Sequence, residues 1–275
     1  MTLSTIRNNP AKQKKVKTKK QKAIAATCAV AFWLLVWHVV SLCVGSELVL
    51  VSPVKVVQTL FTVIFDPDFL KTVWYSAARI LGGFFIALTL GTVLGWVASR
   101  FWVVETLLRP ITAVIKATPV ASFIILVLLW FSGKNLSVII SMLMVFPVIY
   151  MNVLEGIRSA DEKLLEMAQV FRLSVGKKLL YIYLPAVAPF FVSACSVSLG
   201  LCWKSGIAAE VIGTPDGSIG AVFYQAKIFL QTSELLAWTV VVVAVSVAFE
   251  KLFMLLLRLV LKKLKMEDVL NGKRA

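Results

Sequence analysis

Apolar and polar positions along this chain separate into long blocks. Near-continuous apolar runs cover residues 23–44, 73–99, 111–131, 136–154, 183–212 and 235–257. Each approaches the roughly 20 residues that cross a hydrocarbon layer as a helix. An outer-membrane barrel would instead show ten-residue segments of strict alternation. The pattern therefore predicts an all-α polytopic membrane protein with about six transmembrane helices.

The blocks also organise the chain. Residues 1–22 form a basic tail and 23–44 the first transmembrane helix. Residues 45–72 form an external loop holding a short amphipathic helix, VKVVQTLFTVIF, bounded by Ser52-Pro53 and Asp66-Pro67-Asp68. A core of 73–257 follows, with a polar segment at 155–182, and 258–275 is a second basic tail. The residues 100–109 read as a short basic turn, leaving 111–131 as one span.

Composition agrees with this reading. Hydrophobic residues make up 59% of the 275 and charged residues 16%, with a mean hydropathy of +0.88. A soluble domain of this size has no way to bury so much apolar surface, which excludes a soluble globular enzyme. The net charge of +15 could point to nucleic acid. However, the cations lie in tails and loops without interleaved aromatics, so no nucleic-acid partner is expected. The two tails, the 99–110 turn and the central segment carry 21 Lys and Arg, against five in the opposite loops. Basic loops stay inside, so both termini and the central segment are expected in the cytoplasm of a cell-membrane protein.

Little here points to bond-making chemistry. Cys28, Cys43, Cys195 and Cys202 fall in or beside apolar runs without metal-ligand spacing, and His38 is the only histidine. No G-x-x-x-x-G-K-[ST], G-x-S-x-G or H-E-x-x-H occurs. No catalytic, metal or cofactor site is expected on this chain. Gly83, Ala87, Gly91, Gly95 and Ser99 recur every four residues. They form one smooth helical stripe where another backbone approaches closely, either as a dimer seam or as packing within the chain.

The central segment is amphipathic. Ser159-Ala160-Asp161-Glu162 fits a capping box. Leu164, Leu165, Ala168 and Phe171 share one face, and Glu162, Lys163, Glu166, Gln169 and Arg172 lie mainly on the other. Ser174 caps a second short helix that leads to Ile182-x-Leu184-Pro185, where proline is tolerated in a first turn. Periodicity alone leaves two readings open. The pair rests among lipid headgroups, or it docks its apolar face into a soluble partner.

Glu166-Met167-Ala168, followed by Arg172 and then Ile182-x-Leu184-Pro185, resembles the EAA loop of permease subunits of ATP-binding cassette importers. Met167 and Arg172 stand where the pattern has alanine and glycine. The turn is accordingly expected either to have ordinary backbone angles or to use Gly176. Ala78-Arg79-Ile80-x-x-Gly83, Ala117-Thr118-Pro119, Trp130-Phe131-x-Gly133 and Trp203-Lys204 with Glu210 extend the likeness to the nitrate/sulfonate/taurine type, over roughly residues 50–255.

The resemblance implies the type I importer architecture. It implies an EAA-type coupling helix pair in the cytoplasm between spans four and five. It also implies two permease chains, a separate ATPase that binds ATP and magnesium, and an extracytoplasmic solute-binding protein. Leu165, Glu166, Met167, Ala168, Phe171, Arg172, Ile182, Leu184 and Pro185 would couple to the ATPase. Trp203, Lys204 and Glu210 would line the pathway or its outer gate, with Gly206 interrupting the helix between them. For Lys204 itself, snorkelling to the headgroups is the competing explanation. Lys116 and Lys251 read as snorkelling cations. Two other classes would share parts of this pattern: a secondary transporter, or a membrane anchor that recruits a soluble partner without transport.

Overall fold

A computed structural model describes residues 19–263 of the chain. The expected basic tails therefore fall largely outside the described residues. Within them there is no strand. The helices are α1 (Lys19–Val44), α2 (Pro53–Ile64), α3 (Phe69–Arg100), α4 (Trp102–Ala117), α5 (Val120–Trp130) and α6 (Gly133–Arg158). They continue with α7 (Glu162–Val170), α8 (Val175–Lys178), a π-helical turn (Leu179–Tyr183), α9 (Leu184–Gly213), α10 (Ile219–Ile228) and α11 (Thr232–Lys263). Five of these are long and apolar enough to cross a membrane, or six if α4 and α5 together make one broken span.

The bent pair α4–α5 corrects the sequence reading. Residues 100–109 are not a turn, because α4 begins at Trp102 and runs through Pro110 to Ala117. The chain then bends by 109° into α5. The cause is Pro119, which has no amide to continue the helix and forces the residue before it out of the helical region. Thr118 accordingly has ψ 132°. Two boundaries also move. The second span starts at Phe69, and α11 continues to Lys263, past the expected start of the tail at 258.

The residues to Lys55 form a compact unit of their own that contains α1. The remainder is a second unit built on α3, α6 and α9. Its centre joins Ile80, Phe84 and Ala87 of α3, Val145, Ile149 and Val153 of α6, and Leu199, Cys202 and Trp203 of α9. The small-residue stripe faces α6. A Cβ on Gly83 would collide with the carbonyl oxygen of Val138, one on Gly91 would stand 3.0 Å from Ile149 Cβ, and one on Gly95 3.0 Å from Val153 Cγ1. The stripe is thus used for packing inside one chain. Ala98 takes its place at the end of α3, where Ser99 is only partly buried.

α9 docks on the other side of α6 by the same means. Gly156 of α6 lies against Val187 and Phe190, and Gly133 against the backbone of Gly213. Ser141 Oγ donates to the carbonyl of Cys202 at 3.2 Å. Gly206 does not interrupt the helix, which is continuous from Leu184 to Gly213. Its missing side chain instead makes room for Ile80 and Ser141, which a Cβ would approach to 2.6 and 2.7 Å. α11 closes the outer side through Phe253 against Phe84 and through Leu261 against Ala188.

The second unit has two distinct ends. One gathers Arg100, Arg158, Lys177 and Lys178, with Lys262 and Lys263 on the last turn of α11; there Glu105 pairs with Arg158. The other holds the Gly133–Gly213 contact and α10. Because α9 has 30 residues, it joins the two ends as one rod of about 45 Å.

Adjacent glycines give a direct test of this packing. A Cβ on Gly82 meets nothing within 4 Å, so Gly82→Ala should be neutral or stabilise by up to about 1 kcal/mol through helix propensity. Gly83→Ala should destabilise by about 1–3 kcal/mol, the usual cost of overpacking. Thermal unfolding of the two variants in detergent, followed by size-exclusion chromatography, measures the difference. Equal melting temperatures would place the stripe outside the bundle.

Candidate functional site

The helix pair α7–α8 protrudes at the basic end. Its first helix starts at Asp161, whose side chain accepts from the Lys163 amide at 2.9 Å. The expected capping box at Ser159 does not form. Ser159 instead terminates α6, with its hydroxyl donating to the Gly156 carbonyl. Ser174 does occupy the N-cap position of α8, without a side-chain cap bond.

α7 ends in a Schellman motif. The Leu173 amide donates to the Ala168 carbonyl at 2.9 Å and the Arg172 amide to the Gln169 carbonyl at 3.0 Å. Such a motif needs a left-handed residue at its penultimate position. Arg172 takes it, with φ +50°, and Gly176 has no positive φ. Both expectations for this turn were therefore wrong. The arginine adopts the angle that glycine gives freely, at a cost of about 1–2 kcal/mol from its Cβ.

The apolar residues of the pair divide into two sets rather than sharing one face. Ala168 is fully buried and packs with Ala160 and Ile182, flanked by Leu165, Leu173, Tyr183 and Ala186. This set ties the pair to the root of α9. Leu164, Met167, Val170 and Phe171 point outward, with Val170 79% and Phe171 70% exposed. Glu166 and Arg172 are exposed as well. Leu165 therefore belongs with the anchor, and Phe171 with the free surface.

The division explains how the motif tolerates its departures. Position 168 has no room, so alanine is required there. Position 167 faces outward, so methionine fits without strain. Ile182 is the other half of the anchor, and Leu184 packs toward Ala188 and Leu261. Pro185 sits in the first turn of α9 and has no amide for the Tyr181 carbonyl. Just before it the chain widens to π-helical spacing, with the Leu184 amide donating to the Leu179 carbonyl. A cleft of about 580 Å³, lined by Trp96, Arg100, Ile157, Gln169 and Lys178 among others, separates the pair from the ends of α3 and α6.

At the far end of α9, Trp203 and Glu210 are buried and Lys204 is exposed. Glu210 Oε2 accepts from Ser76 Oγ at 2.6 Å and from the Gly220 amide at 3.4 Å. Ser76 Oγ in turn accepts from the Ile219 amide at 2.9 Å. One carboxylate thus joins α9 and α3 to the first turn of α10, where backbone amides lack helical partners. Ser76 was not among the residues singled out from sequence, though it lies seven residues before Gly83, on the register of the small-residue stripe.

The strained turn predicts its own relief. Arg172→Gly should stabilise α7–α8 locally by about 1 kcal/mol, and Arg172→Val should destabilise it by at least as much, since a β-branched residue tolerates the left-handed angle poorly. Hydrogen exchange of the amides of residues 163–173 reports both. Faster exchange in Arg172→Gly would contradict the Schellman geometry.

Residues 87–266 match the family model described as "Binding-protein-dependent transport system inner membrane component". The chain is 29% identical over 232 residues to the putative aliphatic sulfonates transport permease protein SsuC of Bacillus subtilis, covering 83% of each chain. It is 27% identical over 220 residues to the taurine transport system permease protein TauC of Escherichia coli, covering 78% of this chain and 80% of that one. It is 25% identical over 214 residues to the nitrate import permease protein NrtB of a Synechocystis strain, covering 74% and 76%. With its apolar helices, bent pair α4–α5 and helix pair at the root of α9, this chain belongs to the binding-protein-dependent transport inner-membrane components, as an ATP-binding cassette importer permease of the nitrate/sulfonate/taurine type.

Proposed function

We propose that this chain is the membrane-spanning subunit of an ATP-driven importer for a small anion or zwitterion of the sulfonate, taurine or nitrate kind. It couples through α7–α8 to an ATPase carried on a separate chain, which holds the ATP and magnesium. The observation that carries this reading is the outward set of Leu164, Met167, Val170 and Phe171. They stay exposed, as does Val175 of α8, although Leu165, Ala168 and Leu173 of the pair are already packed at the root of α9. Exposed aromatic and methionine side chains beside a charge fit a partner's cleft better than bulk water.

The basic end that carries α7–α8 is the cytoplasmic one in this reading, by the excess of Lys and Arg there. A second copy of the chain completes the pathway, and an external binding protein delivers the solute to the opposite end. Of the three expected gate residues, Lys204 is the exposed one and so the candidate to meet solute. Trp203 and Glu210 act by holding that end of α9 in place.

Two experiments test these assignments. Phe171→Asp should leave the permease inserted and monodisperse, yet weaken ATPase retention by about 30-fold, the equivalent of a 2 kcal/mol anchor, and stop uptake. Glu166→Lys should act in the same direction. Normal ATPase co-purification by both variants would mean that the pair rests on lipid. For orientation, single cysteines at the exposed positions Ser159 and Asp216 are probed in intact cells with an impermeant thiol reagent. Asp216→Cys should label and Ser159→Cys should not. The reverse pattern would invert the topology.

A further inference from the structure

The elbow between α4 and α5 carries a cation that neither the fold nor the coupling surface uses. Lys116, on the last turn of α4, faces a cavity of about 440 Å³. Pro147, Met151, Asn152 and Glu155 of α6 form one wall and Phe190 of α9 another. Lys116 Nζ donates to Met151 Sδ at 3.4 Å, a weak acceptor. Among the described residues it has no carboxylate within ion-pair distance.

The depth of this amine follows from α6 when the midpoint of that helix is set at the middle of the hydrocarbon layer. That helix has 26 residues, and Met151 stands about 8 Å from its midpoint on the side of the basic end. A hydrocarbon layer of about 30 Å reaches about 15 Å from its middle. The amine therefore lies at hydrocarbon depth, beside Met151, rather than extended to the headgroups. In this placement the amine turns to Met151 rather than extending to the headgroups, as the snorkelling suggested by sequence would have it. An exposed, unpaired ammonium at this depth is costly unless its surroundings are polar and wet. Asn152 and Glu155 supply polar groups on this otherwise apolar wall. Asn152 gives an amide proton to the Val148 carbonyl and keeps a second donor and its oxygen for the cavity.

We infer that the Lys116 cavity is a water-filled station of the transport pathway that takes the anionic head of a sulfonate-like solute. This rests on the reading of the chain as a permease. Lys116 supplies the only cation of the lining, and Asn152 supplies a neutral donor next to it. Glu155, one turn further toward the basic end than Met151, repels an anion, which keeps residence at the station short and favours release. Met151 and Phe190 accept the apolar portion of an alkyl chain. The volume lies within the range of small-molecule sites.

The test reads local charge directly and needs no transport. Asn152→Cys is made in the full-length chain with exposed Cys28 and Cys43 replaced by serine, in phosphatidylcholine nanodiscs. The probes are 2-sulfonatoethyl and 2-trimethylammonioethyl methanethiosulfonate, each rate normalised to that of free 2-mercaptoethanol. The anionic probe should be preferred by about tenfold, kept by Lys116→Arg and reduced to under about twofold by Lys116→Met, as expected for a focused local field. Excess ethanesulfonate should slow the anionic probe, and partial replacement of the lipid by phosphatidylglycerol should not.

Val148→Cys, on the same wall, repeats the measurement if Asn152→Cys folds poorly. Failure of both cysteines to react, or a preference indifferent to Lys116→Met, overturns the inference. Slowing by phosphatidylglycerol but not by ethanesulfonate would assign the cavity to a lipid headgroup and overturn it as well. Solute uptake is measured separately in cells. Uptake without the anionic preference sinks the station and leaves the permease reading standing. A preference without uptake leaves an anion site in the cavity but overturns its role as a station of transport.

Discussion

The close approach of α3 to α6 at Gly83, Gly91 and Gly95 sets the position of every other element in the permease unit. In hydrocarbon there is no water to squeeze out between two helices, so association depends on contact at short range. A side chain at any of these positions would reach α6 at 3.0 Å or less. Gly156, Gly206 and the Gly133–Gly213 pair seat α9 on the same principle. With α6 gripped from both sides, α9 becomes a fixed rod joining the two ends of the bundle.

That rigidity gives the protruding helix pair its meaning. α7–α8 is held at one point, where Ala168 and Ile182 pack at the root of α9, and a cleft separates it from α3 and α6. A force applied to the exposed Phe171 therefore passes into α9 rather than into the whole bundle. At the opposite end the same rod is fastened by Glu210 through Ser76 to α10. The Arg172 turn is the one place in the pair where the backbone is strained, and it lies between its two helices.

Glu210 and Lys116, two of the ionisable groups within the spans, illustrate opposite solutions to one problem. Glu210 is fully buried, and one of its oxygens is held by a hydroxyl and a backbone amide. Its function is to hold elements together. Lys116 faces an open cavity, where its amine bonds only to a thioether. A charge that the fold leaves unneutralised is available to something that passes.

How much of this was legible in the sequence follows from the range of the forces involved. Spans, tails and the amphipathic centre are written in local hydropathy, because each residue meets lipid or water largely on its own account. The EAA-like spacing was legible for the same reason, since a capped helix pair is a local object. The small-residue stripe announced a close neighbour but not which one, because helical period says nothing about a partner. Tertiary structure alone identified that neighbour as α6. It divided the apolar residues of α7 between anchor and free surface, which a single helical wheel had merged. Arg172 was expected either to sit in a turn of ordinary backbone angles or to leave the role to Gly176, yet the hydrogen bonds of the Schellman turn hold it at φ +50°. The bend at Thr118–Pro119 was visible as a proline but not as an angle, so Lys116 was placed by its distance along a straight span. Only the folded elbow put its amine beside Met151. The chain thus determined by itself which segments enter the membrane, while packing between distant segments decided which of their polar groups are neutralised and which remain open.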